Sequence, residues 1–314
     1  MKNKMISALL CAAVAGTMLV STASAEETAK YGIVLKTLSS EFWQSMEAGI
    51  LEKAEELGVE VEIMAANSED DVEGQVTVFE TMLSSGEFCA FGVAPLSDSN
   101  LVNTIAAANN DGYLVANIDE KVNMEVLEAA GGSVVSFVTT DNLVVGKTAG
   151  EYIASLLEEG AEVAIIEGKA GAASGEDRKA GCTEAFEEAG LEIVDSQPAD
   201  WDKTKAYDLA TNLISKNENL KAIYCCNDTM AMGAYQAVAD SGKDIIVVGT
   251  DGNSDAIQSV KDGGLTATVG QDAAQVGARS LELLVEAYTN GDTPGSKDMV
   301  DERIDPVLIT AEEN

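Results

Sequence analysis

The sequence predicts an α/β protein made of two similar lobes, each built around a parallel β-sheet. Apolar runs of strand length alternate with amphipathic stretches of helix length, which is the pattern of repeated βα units. This alternation is interrupted after residue 117 and restarts near residue 136. A constant offset separates two pairs of strand ends, Pro95 from Asn227 and Asp119 from Asp251, which indicates that one topology is used twice.

The first series of elements runs from residue 31 to residue 117. Strands are predicted at residues 31–35, 59–64, 88–94 and 113–117, and helices at 42–57, 70–84 and 98–110. A looser stretch that contains glycines, residues 120–133, ends the series. The chain is long enough for two such lobes, because 314 residues with 46% hydrophobic content can bury two sizeable cores.

The second series repeats the pattern from residue 136 to residue 249. Strands are predicted at residues 136–138, 163–167, 191–194, 222–225 and 245–249, and helices at 142–158, 176–189, 203–216 and 228–240. A strand at 265–270, a long helix at 272–290 and an extended segment at 307–310 follow. These last segments are predicted to cross back between the lobes, and three crossings would form a hinge.

The first 25 residues have the organisation of a secretory signal. Lys2 and Lys4 precede an apolar segment over residues 5–20, and small residues follow at 23–25. The apolar segment is too short for a comfortable membrane span. The sequence therefore predicts cleavage after residue 25 and a soluble, exported mature protein.

Composition excludes several classes of function. The formal net charge of −35 makes nucleic acid an improbable partner. The chain has no histidine, which removes the usual general base, the Ser-His and Cys-His nucleophile pairs and the commonest transition-metal ligand. The cysteines of the mature chain show no Cys-x-x-Cys spacing, so we expect small buried side chains, with a disulfide between distant cysteines left open.

Polar and aromatic side chains are predicted to converge where the strands end, which is where open α/β sheets bind ligands. The two sides would carry opposed aromatic rings, suited to the apolar face of a sugar, among carboxylates, amides and cations suited to its hydroxyls. The candidate ligand-binding residues are Lys36, Phe42, Trp43, Asp119, Arg178, Trp201, Asn227, Asp251 and Gln271. We expect no metal, no cofactor and no catalytic residue in this set.

Several of these residues have a purely structural alternative. Phe42 and Trp43 could simply seal the first helix onto its sheet. Asn227 and Asp228 could be helix N-caps, which is the favoured interpretation for Asp228. Asp251 could belong to a turn.

Arg178 is the candidate that structure alone explains least well. The spacing of Ser174 and Asp177 matches a capping box, which would place Arg178 near the first helical turn. A cation is unfavourable at that position unless something anionic or a ligand compensates. We therefore interpret Arg178 as functional.

Several longer runs resemble one known family. They are residues 31–39, 117–121, 138–142, 164–171, 196–202, 222–225 and 227–233. Together they resemble the ribose-type periplasmic sugar-binding proteins over nearly the whole mature chain. One departure is Ser40-Glu41, where relatives often carry Asn-Pro before the aromatic pair.

The resemblance implies two Rossmann-like lobes, joined by a three-crossing hinge, that close over one monosaccharide such as allose or ribose. The N-terminal lobe would comprise residues 26–138 and 272–304, and the C-terminal lobe residues 139–271 and 305–314. The nine candidate residues match that family's sugar contacts. The implied partner is an ABC transporter permease, with a chemoreceptor as a further candidate, and the implied state is a monomer in the periplasm, or outside a host with a single membrane.

Other functions share this fold and stay open. A carboxylate-based glycosidase would use Asp119 and Asp251 as its pair. A nucleotide-dependent enzyme is disfavoured, because the phosphate-binding glycine motifs are missing. A repressor core is disfavoured by the acidic, exported chain. A binding protein for chemotaxis or for a furanose-like signalling molecule would differ only in its ligand.

Overall fold

Two α/β lobes make up the part of the chain that the structure describes. The computed structural model describes residues 28–311, and the predicted leader over residues 1–25 lies outside the described residues. Each lobe contains one six-stranded sheet with helices packed on it. Among the described residues, no helix is both long enough and apolar enough to cross a membrane.

The first five strands form one sheet and the next five form the other. Of the last two strands, one joins each sheet. The first sheet takes β1 (Lys30–Leu35), β2 (Glu60–Ala65), β3 (Ala90–Val93), β4 (Leu114–Ile118) and β5 (Ser136–Thr140). The second sheet takes β6 (Glu162–Glu167), β7 (Glu192–Pro198), β8 (Leu220–Cys225), β9 (Ile246–Asp251) and β10 (Ala267–Gly270). The last two strands are β11 (Val300–Ile304) and β12 (Val307–Thr310).

The two sheets have matching strand orders. They are β11-β5-β4-β3-β1-β2 in the first lobe and β12-β10-β9-β8-β6-β7 in the second. The pairings are parallel except for β12, which runs antiparallel to β10. The chain therefore passes between the lobes three times, which confirms the predicted α/β fold with two lobes and a three-stranded connection.

Ten helices connect the described strands. They are α1 (Glu41–Leu57), α2 (Val72–Ser85), α3 (Val102–Asn110), α4 (Met124–Ala129), α5 (Asn142–Ser155), α6 (Ala173–Glu188), α7 (Lys203–Lys216), α8 (Asp228–Ser241), α9 (Ser254–Lys261) and α10 (Ala273–Thr289). Six of them begin after a residue whose side chain accepts a hydrogen bond from the first turn. These N-caps are Asp71, Asn123, Asp141, Asp202, Asn227 and Asp272. Such caps satisfy backbone N–H groups that have no partner within the helix.

The central strands are buried on both faces, which explains their continuous apolar runs. Ile33, Val34 and Leu35 at the end of β1 are fully buried, as expected for a parallel sheet covered by helices. Glycines allow neighbouring helices to approach closely. A Cβ at Gly146 of α5 would clash with the carbonyl oxygen of Arg178 on α6, so this contact fixes the position of Arg178.

Three elements depart from the sequence-based expectations. The stretch predicted to be loose at residues 120–133 contains α4, and neither α9 nor β11 was predicted. All three are short, with eight residues or fewer, so each gives a sequence pattern little length in which to show. In addition, α6 starts at Ala173, three positions before the predicted start.

Candidate functional site

A cavity of about 360 Å³ lies between the two lobes, where the carboxyl ends of both sheets meet. It is lined by all nine residues that the sequence singled out, namely Lys36, Phe42, Trp43, Asp119, Arg178, Trp201, Asn227, Asp251 and Gln271. Residues from both lobes therefore line one cavity. Its volume lies in the range of small-molecule binding sites.

Lys36 directly follows β1 and is held by a buried ion pair. Its Nζ donates to Glu120 Oε2 at 2.9 Å, and both side chains are almost completely buried. Burial opposes the charge on Lys36, but Glu120, Glu69 and Asp119 outweigh it and raise the pKa of Lys36 above its ordinary value. Lys36 therefore stays protonated and donates hydrogen bonds at the cavity wall.

Phe42 and Trp43, in the first turn of α1, form the aromatic side of the first lobe. Their rings meet edge to face with centroids 5.1 Å apart. The indole Nε1 of Trp43 donates to Glu69 Oε1 at 3.0 Å, which fixes the orientation of the ring. Both rings line the cavity, although Trp43 also packs in the core, so the structural and functional interpretations of this pair are compatible.

Trp201 supplies the aromatic side of the second lobe from the loop between β7 and α7. Its backbone is left-handed, with φ 63°, and so is that of Asp200, with φ 53°. The ring lies against Gly168 and Gly175, where any side chain at Gly168 would occupy the space of the indole. The guanidinium carbon of Arg178 lies 5.8 Å from the ring centroid, within cation–π range.

Arg178 lies in the second turn of α6 and is held by two hydrogen bonds and one ion pair. Its Nε donates to Asn142 Oδ1 at 2.8 Å, and its Nη1 donates to the carbonyl oxygen of Cys226 at 2.7 Å. The same Nη1 lies 3.6 Å from Asp251 Oδ1. This buried guanidinium is therefore oriented before any ligand binds, which lowers the entropic cost of binding.

Asp119 and Asp251 are buried carboxylates at equivalent positions of the two lobes. Both have positive φ, 59° at Asp119 and 125° at Asp251, a conformation that is uncommon for residues other than glycine and that recurs at functional sites. Burial raises the pKa of each to about 6, against the opposing effects of Lys36 on Asp119 and of Arg178 on Asp251. Each can therefore change its protonation state near neutral pH.

Two buried acceptors of this cavity lack a partner among the described residues. One is Asp119 Oδ1 and the other is Gln271 Oε1. Gln271 uses its Nε2 to donate to Asp251 Oδ1 at 2.6 Å, which leaves its oxygen as the free end. Buried acceptors without partners are costly, so the cavity offers two acceptor positions that suit a ligand with hydrogen-bond donors.

Asn227 lines the cavity and also caps α8, because its Oδ1 accepts from Met230 N at 2.8 Å. The favoured interpretation of Asp228 as the cap was therefore wrong. Asp228 is completely buried and joins three elements instead, accepting from Asn253 N at 2.8 Å and from Thr268 Oγ1 at 2.7 Å. Asp228 thereby holds the backbone of Asn253, which lines the cavity.

The capping-box interpretation of Ser174 and Asp177 is also wrong. The N-cap of α6 is Ala172, which has no side-chain acceptor, and Ser174 lies within the first turn. The hydroxyl of Ser174 donates to Glu120 Oε2 of the opposite lobe at 2.8 Å. Arg178 consequently lies deeper in the helix than the motif implied.

Sequence reasoning missed further residues of the site. Those that also line the cavity include Glu41, Glu69, Ser174, Thr229 and Asn253. Glu69 had a usable signal, because it follows the end of β2 on the same edge of the sheet as Lys36. Ser174 had none, since its partner lies in the other lobe.

The side chains of the described cysteines do not line the cavity. Within residues 28–311 all four are free, and Cys182, Cys225 and Cys226 are buried while Cys89 is half-buried. Burial raises the pKa of Cys226 to about 12, so its thiol is not reactive at neutral pH. Cys182, Cys225 and Cys226 are small buried side chains, as the sequence predicted, whereas Cys89 is only partly buried.

Two α/β lobes joined by three crossings, with an aromatic and polar cavity between their strand ends, define a two-lobed solute-binding protein. Residues 31–292 match the family described as periplasmic binding protein domain, and the chain belongs to that family. This confirms the resemblance that the sequence motifs indicated.

The relatives cover almost the whole chain. The D-allose-binding periplasmic protein of Escherichia coli K12 is 49% identical over 297 residues, which are 93% of this chain and 95% of the relative. The D-ribose/D-allose-binding protein of Pseudomonas aeruginosa is 32% identical over 98% of each chain. A solved periplasmic solute-binding protein from Actinobacillus succinogenes with bound D-allose is 29% identical, with a TM-score of 0.84 over 91% of this chain and 99% of that one.

Proposed function

We propose that this protein binds one monosaccharide, allose, ribose or a similar aldose, and delivers it to an ABC-type permease. The observation that carries the proposal is a single cavity in which Trp43 and Trp201 come from opposite lobes beside the unpaired acceptors of Asp119 and Gln271. The 49% identity to a D-allose-binding protein supports allose as the first candidate.

The electrostatics of the cavity favour a neutral ligand. Lys36 is paired with Glu120, and Arg178 lies beside Asp251 and donates to two further acceptors. An anionic ligand would meet cations whose charge is already balanced, together with nearby carboxylates. A neutral polyhydroxyl ligand can instead donate to Asp119 and accept from the cations.

The expected contacts are strong enough for specific binding. Stacking of a pyranose face on an aromatic ring contributes about 0.5–1.5 kcal/mol beyond area burial, by analogy with aromatic pairs. Each hydrogen bond to a charged group contributes about 1.5–3 kcal/mol. Several such bonds reach micromolar affinity, which corresponds to about −8 kcal/mol.

Binding is proposed to stabilise the closed arrangement of the lobes. The moving bodies would be residues 26–138 with 272–304 and residues 139–271 with 305–314, joined by the three crossings. A ligand shifts such an equilibrium only by its greater affinity for one state, and here the contacts come from both lobes. The nine predicted residues are proposed as the sugar contacts.

The proposed setting follows from the family and from the predicted leader. We propose a monomer that works in the periplasm, or outside the cell in a host with a single membrane. Its partner would be a permease that recognises the closed lobes, and a chemoreceptor is a second candidate. The protein is proposed to have no enzymatic activity.

Calorimetry with a panel of aldoses tests the function. We expect D-allose or D-ribose to bind with a stoichiometry of one and a dissociation constant in the micromolar range or below. Arg178→Met should abolish this signal. The matched control is Arg279→Met, because Arg279 lies on α10 and pairs with Glu282 and Glu302 away from the cavity. No heat with any monosaccharide would contradict the proposal.

Turnover distinguishes a binding protein from a glycosidase. Asp119 and Asp251 are the only pair that the sequence offered for that chemistry. Incubation with chromogenic glycosides of allose and glucose should release no chromophore. Release that disappears in Asp251→Asn would favour the enzyme instead.

A further inference from the structure

Helix α6 begins at the cleft without a cap of its own. Its N-cap residue is Ala172, whereas α5, α7 and α8 in the same lobe are capped by Asp141, Asp202 and Asn227. The first N–H groups of a helix have no partner within it and need one from outside. At α6 the partner comes from the other lobe.

Glu120, directly after Asp119 in the first lobe, supplies that partner. Its Oε1 accepts from the backbone N–H of Ser174 at 3.2 Å, and its Oε2 accepts from the Ser174 hydroxyl at 2.8 Å. The same Oε2 accepts from Lys36 Nζ at 2.9 Å. One carboxylate therefore joins a ligand-facing cation of the first lobe to a helix start of the second.

This contact is shielded from water more completely than the contacts that Lys169 and Glu41 make across the cleft. Lys169 pairs with Asp70 across the cleft, but the Asp70 side chain is 76% exposed, whereas that of Glu120 is 0% exposed. Glu41 accepts from Ser254 across the cleft at an exposed position. Exposed pairs contribute little because water and salt screen them. A buried carboxylate at a helix N-terminus is stabilised further by the helix dipole.

The protonation state of Glu120 agrees with this arrangement. Burial alone would raise the pKa of Glu120, but Lys36 and Ser174 together hold it below its ordinary value. The carboxylate is therefore ionised at neutral pH and can cap the helix as an anion.

We propose that Glu120 is a positioning residue that couples lobe closure to ligand binding by capping α6 from the opposite lobe. Glu120 does not itself line the cavity, whereas Lys36 and Ser174 do. Opening of the lobes removes the cap from α6 and exposes the Glu120 carboxylate to water, so the cap favours the closed state. The inference rests on the proposed function in its effect on affinity, but the cap itself is a property of the protein alone.

Shortening the side chain of Glu120 weakens the cap while keeping the negative charge. Glu120→Asp withdraws the carboxylate by one methylene from both Ser174 and Lys36, which share its Oε2. Apparent affinity scales with the population of the binding-competent state. We expect Glu120→Asp to weaken D-allose binding about tenfold in calorimetry, with the binding stoichiometry unchanged. Glu128→Gln, an exposed carboxylate of the same lobe, is the matched control and should bind like wild type.

A double-mutant cycle tests whether the effect passes through Ser174. Because Ser174→Ala removes the partner hydroxyl, Glu120→Asp should cost less than about threefold in that background. Equal costs of Glu120→Asp in the wild-type and Ser174→Ala backgrounds would contradict a coupling through the Ser174 hydroxyl, since independent sites are additive. The backbone N–H of residue 174 donates to Glu120 in both backgrounds, and its share of the cap is tested by hydrogen exchange.

Hydrogen exchange without sugar provides a readout that does not depend on ligand identity. Amides at the start of α6, residues 173–178, should exchange faster in Glu120→Asp than in wild type and be unchanged in Glu128→Gln. If wild type bound no aldose, the proposed function would fail, but the exchange comparison would still show whether Glu120 caps α6. Unchanged exchange in Glu120→Asp, both without sugar and at saturating D-allose, would overturn the cap.

Discussion

Replacing Asp119 with Asn is expected to stabilise the protein while weakening its ligand binding. Asp119 is only 5% exposed, and its Oδ1 has no partner among the described residues. Its backbone is left-handed, with φ 59°, a conformation that Asn also tolerates. The substitution therefore removes the charge without changing the size of the side chain or straining the backbone.

The gain in stability follows from the raised pKa. Burial raises the pKa of Asp119 to about 6 from an ordinary value of 3.8. At pH 7.5 the ionised group therefore costs the folded state up to about 3 kcal/mol, since each pKa unit corresponds to about 1.4 kcal/mol. As the pH falls below 6 towards 3.8, Asp119 becomes protonated and the wild-type protein regains this stability. The Asn variant carries no charge at this position, so it does not pay this cost at any pH.

The loss of affinity follows from the same carboxylate. When Asp119 accepts from a sugar hydroxyl, its charge strengthens the hydrogen bond, which contributes about 1.5–3 kcal/mol. Loss of that bond corresponds to roughly 10- to 150-fold weaker binding. The two effects have opposite signs because the buried charge destabilises the free protein but strengthens a hydrogen bond to the bound sugar.

Urea unfolding without sugar and calorimetry with D-allose, both at pH 7.5, measure the two effects. Asp111→Asn is the matched control, because Asp111 is exposed at the end of α3. We expect its unfolding free energy and its affinity to equal those of wild type. The reasoning is refuted if Asp119→Asn is less stable than wild type, or if it binds D-allose equally well.

Other parts of the site give further expectations. Gly168→Ala should displace the Trp201 indole and weaken sugar binding at least tenfold, measured by calorimetry, with little change if the ring does not contact the sugar. Arg178→Lys should lose the bond to Asn142 and lower the unfolding free energy by about 1.5–3 kcal/mol, measured in urea, and equal stability would contradict it. Lowering the pH from 7.5 to 5 should weaken sugar binding, because Asp119 and Asp251, both with a pKa of about 6, become protonated and accept poorly; pH-independent affinity would contradict this.

Most of the fold could be predicted from the sequence, because buried parallel strands are nearly continuous apolar runs. The end of β1, with Ile33, Val34 and Leu35 all fully buried, is such a run. Strand β11 at Val300–Ile304 could not be found this way. It is an edge strand with charged residues at three of five positions, and only its pairing with β5 makes it a strand.

The cavity could be predicted as far as single lobes determine it. Asp119, Asp251 and Gln271 lie at strand ends, and parallel topology brings such positions to one edge of each sheet. Contacts between the lobes were beyond prediction, because no local pattern reports which residues meet across a cleft. Ser174 shows the difference, since its spacing to Asp177 matches a helix cap while its hydroxyl binds Glu120 of the other lobe.

A crystal structure of the protein grown with D-allose tests the central proposal most directly. The proposal predicts one sugar ring between the aromatic side of the first lobe and Trp201, with hydroxyls within hydrogen-bond distance of Asp119 Oδ1 and Gln271 Oε1. A sugar bound outside this cavity, or a cavity that holds no sugar at saturating D-allose and at saturating D-ribose, would contradict it.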